Sequence, residues 1–79
     1  MASPREVLEF VAKNIVDDPD AVRVEEEADA RGSILHLTVA DDDIGKVIGK
    51  GGRTARAIRS VVRASAIRSG THVMVEIAG

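Results

Sequence analysis

Ile44-Gly45-Lys46-Val47-Ile48-Gly49-Lys50-Gly51-Gly52-Arg53 places three glycines within four residues, between branched apolar residues and a basic run. Glycine costs backbone entropy in a helix, so this density interrupts one. Gly49 to Gly52 therefore reads as a tight turn between a short helix before it and a long helix after it. The missing side chains let another molecule approach the backbone, and Lys50 and Arg53 bring positive charge to the same place. Amides at the start of the following helix point there too, which suits a phosphate. The segment reads as a backbone-clamping loop for a polyanion.

Charge strengthens that reading. The formal net charge of −2 averages two unlike halves. Residues 1–43 hold four Lys/Arg against twelve Asp/Glu, whereas residues 44–79 hold seven against one. The asymmetry predicts a cationic face able to meet nucleic acid, while the acidic half opposes indiscriminate binding to polyanions. On that face the sequence puts Lys46, Lys50 and Arg53, continued by Arg56, Arg59 and Arg63 at spacings of three and four along the helix. Arg56 lies nearest the loop.

Upstream, Ser3-Pro4-Arg5-Glu6 opens a helix, with Ser3 as cap, Pro4 at the first helical position and Glu6 completing a capping box. Val7, Leu8, Val11, Ala12 and Ile15 share one face, predicting a helix over residues 4–16 that covers a sheet. Pro19 stops it. Val22 and Val24 alternate with Arg23 and Glu25 as a half-exposed strand. The run Glu25-Glu26-Glu27 is either an acidic ligand cluster or, as its position favours, an exposed strand end that discourages edge pairing. A polar turn at 29–33 leads to a second strand over 34–40, antiparallel to the first. It has Leu35, Leu37 and Val39 on one face and Ile34, His36 and Thr38 on the other. Asp41-Asp42-Asp43 does not by itself arrange a magnesium site; helix capping accounts for at least one of the three.

Downstream, Ala55, Ile58, Val61 and Val62 give the long helix, about residues 53–68, its core stripe. Val73, Val75 and Ile77 then alternate with His72, Met74 and Glu76 in a last strand; Met74 is placed either beneath a base or at an edge of the core. A strand–helix–helix–strand crossover makes that last strand parallel to an earlier one. The fold class is α+β: order α-β-β-α-α-β, with a three-stranded mixed sheet covered on one face by helices, in a single domain spanning residues 1–79.

Several function classes fall away. With no cysteine, and with His36 and His72 isolated, neither a disulfide framework nor a metal cluster is expected. No apolar run reaches the length of a membrane span, so no membrane insertion and a cytoplasmic location are expected. A nucleotide-hydrolysing P-loop needs four residues between its first glycine and Gly-Lys-Ser/Thr. Here three residues separate Gly45 from Gly49-Lys50, and Gly51 stands where the hydroxyl belongs. A dinucleotide fingerprint fails at Thr54. No catalytic constellation or cofactor motif stands out, so the chain reads as a binding protein without a cofactor and not as an enzyme.

Val47-Ile48-Gly49-Lys50-Gly51-Gly52, followed by Ile58, resembles the V-I-G-x-x-G and later apolar anchor of the KH domain, whose G-x-x-G loop clamps the backbone of about four nucleotides. The element order resembles the type II, prokaryotic KH fold along nearly the whole chain, most closely the KhpA family of small bacterial single-KH proteins. The resemblance implies an RNA chaperone or post-transcriptional regulator linked to cell elongation and division. Its implied partners are single-stranded RNA and a KH chain, giving either a homodimer or a heterodimer with a second, larger bacterial KH protein. Gly51 departs from the family only in filling a variable loop position with a third glycine. In this reading Gly49, Lys50, Gly51 and Gly52 hold the sugar-phosphate backbone, with Lys46, Arg53 and Arg56 alongside. Ile44 and Val47 floor a groove for bases, and Ile48 supports the loop from the core. The alternative reading is a KH-fold interaction or dimerisation module that binds RNA weakly or not at all.

Overall fold

The computed structural model describes residues 2–78. Helix α1 (Pro4–Ile15) is followed by β1 (Arg23–Ala28), β2 (Ser33–Thr38), α2 (Ile44–Ile48), α3 (Arg53–Arg68) and β3 (Val73–Ala78). The sheet order is β1-β2-β3, with β2 antiparallel to β1 and parallel to β3. This is the expected mixed sheet. Its central strand arises because a tight hairpin returns β2 beside β1, whereas the two-helix crossover delivers β3 to the other side.

Helix α1 begins as its sequence dictates. Glu6 N–H donates to Ser3 Oγ at 3.2 Å, and Ser3 N–H donates to Glu6 Oε1 at 3.1 Å, with Pro4 in the first turn. The bond from the Ser3 amide, ahead of the Ser3 side chain, holds the Glu6 carboxyl below its ordinary pKa. Leu8 and Ala12 of α1 are fully buried against Leu35 and Leu37 of β2, Val62 and Ala66 of α3, and Val73 and Val75 of β3. On the opposite face of the sheet, Met74 is exposed and His36 half-buried. His36 lies between two carboxylates there, with Nε2 2.9 Å from Glu27 Oε1 and Nδ1 3.3 Å from Glu76 Oε2. The register explains this: Glu76 is directly across from His36 on β3, while Glu27 sits one diagonal away on β1. The glutamate run belongs to edge strand β1, where Glu26 accepts from Ser33 Oγ at 2.9 Å.

Four expectations change. Strand β1 begins at Arg23, paired with Thr38, so the β2 ladder ends at Thr38 and not at Ala40. The chain then turns through a single 3-10 turn over Asp41–Asp43, closed by Asp43 N–H to Ala40 O at 2.8 Å. No aspartate side chain caps this turn or α2. Asp43 has a helical backbone (φ −98°, ψ −7°) where a capping residue is extended. Its buried carboxylate instead accepts the amides of Asp17 at 3.2 Å and Asp18 at 3.1 Å. It thereby ties the connection after α1 to the start of α2.

The α3 core stripe runs Ala55, Ile58, Val62, Ala66. Val61, expected in it, is 49% exposed, because a position one residue before Val62 is turned about 100° off the stripe. In α2 the roles of two neighbours are exchanged. Val47 is fully buried in the core and Ile48 is 40% exposed, the reverse of the arrangement expected from the loop motif. Ile44 and Val47 are three apart and so share the inward face of this five-residue helix. Ile44 is half-buried against the core.

Two stability outcomes follow. Val47→Asn places an unpartnered amide in the core and removes apolar burial, together costing at least about 3 kcal/mol, whereas Ile48→Asn costs no more than about 1 kcal/mol at a surface site. Thermal unfolding of the two variants should show a clear loss only for the first. Asp43→Ala strips two amides of a charged acceptor and should cost about 2–4 kcal/mol. Urea denaturation checks it; an unchanged midpoint means water replaces the carboxylate without penalty.

Candidate nucleic-acid interface

The connection between α2 and α3 is built from conformations that only glycine adopts readily. Helix α2 closes with Gly49 N–H donating to Gly45 O at 2.9 Å. Gly49 itself has φ 74° and ψ 169°, and a Cβ there would lie 2.2 Å from Thr54 Oγ1 and 2.9 Å from the Thr54 amide nitrogen. Both the backbone angle and the space exclude a side chain. Gly51 (φ 65°, ψ 17°) and Gly52 (φ 78°, ψ 13°) are left-handed. The third glycine is therefore conformationally matched to its place, although a Cβ on it would meet nothing within 4 Å.

These angles close the turn tightly. Gly52 N–H bonds to Gly49 O at 3.1 Å and Arg53 N–H to Lys50 O, so the loop is a single tight turn running straight into α3. Helix α3 starts at once, and no side chain caps its N-terminus. Sixteen aligned residues thus direct the positive end of their dipole at the loop. An anion resting on the loop tip would meet both the loop amides and this helix end.

The predicted cations are distributed unequally around the tip. Lys50 and Arg53 are exposed beside it. Arg56, one turn into α3, donates from Nη1 to Gly51 O at 3.1 Å, steadying the loop while its remaining N–H groups stay available. Lys46 is engaged by the carboxylate of Asp17, a residue that the sequence assigns only to a helix stop. That bond, before any other cause, raises the Lys46 pKa above its ordinary value. Arg59 is half-buried and turns to β3, with Nε donating to Val75 O at 3.3 Å.

The apolar assignments are corrected here as well. Val47 is sealed in the core and cannot floor an external groove, whereas Ile48, one residue before the loop, offers apolar surface beside it. Ile44 keeps part of its surface. Thr54, whose side chain fills the space over Gly49, does not stand out in the sequence; its signal is a small β-branched residue five positions after a glycine that must stay bare. Asp17 and Lys46 are 29 positions apart and no spacing rule joins them. Among the described residues no group of three or more His, Asp or Glu side chains could hold a metal ion, and no helix is long and apolar enough to cross a membrane.

The family model described as "KhpA/KhpB, KH domain" matches residues 5–77. The chain is 49% identical over 73 residues to the RNA-binding protein KhpA of Clostridium acetobutylicum, covering 92% of this chain and 97% of that one. It is 54% identical over 59 residues to the RNA-binding protein KhpA of Streptomyces coelicolor, covering 75% of each. Among solved structures, a point variant of Aquifex aeolicus Era bound to GDP and aluminium fluoride superposes with a TM-score of 0.64 at 17% identity, over 94% of this chain and 29% of that one. Era in complex with MgGDPNP and nucleotides 1506–1542 of 16S ribosomal RNA gives 0.63 at 17% identity, over 94% of this chain and 28% of that one. These structural matches speak for the fold, and the sequence matches for the lineage: the chain belongs to the KhpA/KhpB family of KH-domain proteins.

Proposed function

We propose that the chain binds single-stranded RNA by clamping its sugar-phosphate backbone on the Gly49–Gly52 loop. One observation carries this reading: the Gly49–Gly52 turn, built from positive-φ glycines, leads straight into the N-terminus of α3, which no side chain caps, with Lys50, Arg53 and Arg56 around it. Amides in a concave turn and a helix dipole recognise a phosphate without any side-chain chemistry. The relatives named RNA-binding protein KhpA support RNA as the polyanion. Ile48 and the exposed part of Ile44 border the loop as apolar contacts for bases. With Phe10 as the sole aromatic, on α1, there is no stacking platform.

A clamp of this kind holds strands loosely and without strong sequence preference, which fits a cytoplasmic RNA chaperone or post-transcriptional regulator. Pairing with a second KH chain, identical or larger, would raise avidity by effective concentration. Val61 on α3 is exposed apolar surface that such pairing can cover.

The reading is tested by replacing Lys50 and Gly51 together with aspartate. Gly51 has open space around it, and aspartate is among the residues that tolerate a left-handed backbone, so the cost is about 1–2 kcal/mol and the fold survives. Repulsion then replaces attraction at the phosphate position. Fluorescence anisotropy with a labelled oligouridine should show binding lost while circular dichroism is retained; parent-like binding overturns the clamp. For the parent protein, log affinity should fall by about 0.7 per log unit of salt for each phosphate contact, and salt-independent binding would contradict the mechanism.

A further inference from the structure

The cation nearest the loop on its α2 side is already occupied. Lys46 lies three residues before Gly49, and its ammonium donates to the carboxylate of Asp17. Asp17 comes from the connection after α1 and is placed there by Asp43, whose buried carboxylate accepts the backbone amides of Asp17 and Asp18. The side chain of Asp17 bonds only Lys46 among the described residues. The fold therefore fixes the Asp17 backbone without needing its carboxylate. Lys50, Arg53 and Arg56 form no ion pair among the described residues, so Lys46 alone of the four cations near the loop faces an anion of the protein itself.

We propose that Asp17 is an internal competitor for RNA phosphate at Lys46 and so tunes the affinity of the loop. The inference rests on the loop reading above. A carboxylate oxygen stands where a phosphate oxygen would accept the same ammonium proton. A strand held on Gly49–Gly52 and extending along α2 recruits Lys46 only by displacing Asp17. The Asp17 side chain is 77% exposed, so once displaced it is hydrated immediately. The exchange is therefore easy and graded, modulating binding without blocking it. Its second effect is electrostatic. While paired, Lys46 contributes little net field at the strand, so the protein displaces fewer counterions from RNA than its cation count implies.

The inference is tested with four proteins: the parent, Asp17→Asn, Lys46→Ala and the double variant. Asparagine keeps the size of Asp17 and the backbone bonds to Asp43. Each protein is titrated with the labelled oligouridine across a salt series, and its melting temperature is measured alongside. Asp17→Asn should bind about two- to five-fold more tightly at low salt, the worth of a surface ion pair removed from the competition. Its log–log salt slope should steepen by up to about 0.7. The gain should vanish in the Lys46→Ala background, and Asp17→Ser should reproduce it. Unchanged affinity and slope in a folded Asp17→Asn protein overturn the assignment. So does an equal gain with Lys46→Ala, because the effect is then one of overall charge. The Lys50→Asp/Gly51→Asp protein is run in parallel. If it loses binding while Asp17→Asn changes nothing, only the competitor is wrong; if it binds like the parent, the loop reading fails.

Discussion

The backbone of Gly49 is the constraint on which the arrangement depends. Its φ of 74° and ψ of 169° belong to a region that side chains make inaccessible, and Thr54 occupies the space a Cβ would need. Because that residue can turn so sharply, α2 hands over to α3 within four residues. A five-residue helix has no stability of its own, since nucleation costs more than one turn returns. Helix α2 persists because Val47 is buried in the common core and because the turn fixes it to the long helix behind it. The same turn brings the N-terminus of α3, which no side chain caps, to the loop tip. Structural necessity and ligand readiness therefore come from one set of dihedral angles.

Charge is organised less simply than the two halves of the sequence imply. The acidic half is not confined to a remote surface. Asp17 is brought to α2 by the connection after α1 and sits on the ammonium of Lys46, while Asp43, directly before α2, holds two backbone amides of that connection. Among the described residues, Lys50, Arg53 and Arg56 form no ion pair with a carboxylate. The fold thus sorts cations that look equivalent in the sequence into three that face outward at the tip and one that is already satisfied. Arg59 leaves the group altogether by bonding the carbonyl of Val75 on β3.

What can be read from the chain beforehand is what depends on neighbours in sequence. The capping box at Ser3 and Glu6, the alternation of β2 and β3 and the glycine turn are all encoded within a few residues, and all appear as read. Local pattern fails where a long-range contact decides. Val47 and Ile48 are both branched and apolar, and only the position of α3 and the sheet chooses which one points inward. Three consecutive aspartates match capping chemistry, yet Asp43 is claimed by amides 25 and 26 positions away. Val61 and Val62 differ by one step on the helix, so the periodicity reveals the core stripe but misplaces its edge.

The composition of the loop also limits what it can discriminate. On the proposed reading, loop amides, a helix dipole and three outward-facing cations would respond to the charge and spacing of phosphates, which every strand shares. Discrimination among bases needs edges or ring faces to be met by fixed groups, and here the apolar surface beside the loop is reduced to Ile48 and part of Ile44 once Val47 is sealed away. Arg59, a fixed polar group of α3 on the side toward β3, already spends its Nε on Val75. Duplex RNA presents its phosphates along two rigid strands, while a single strand can bend its backbone into a concave turn only a few residues wide. Selectivity in this molecule is accordingly expected to lie in strand flexibility, before sequence.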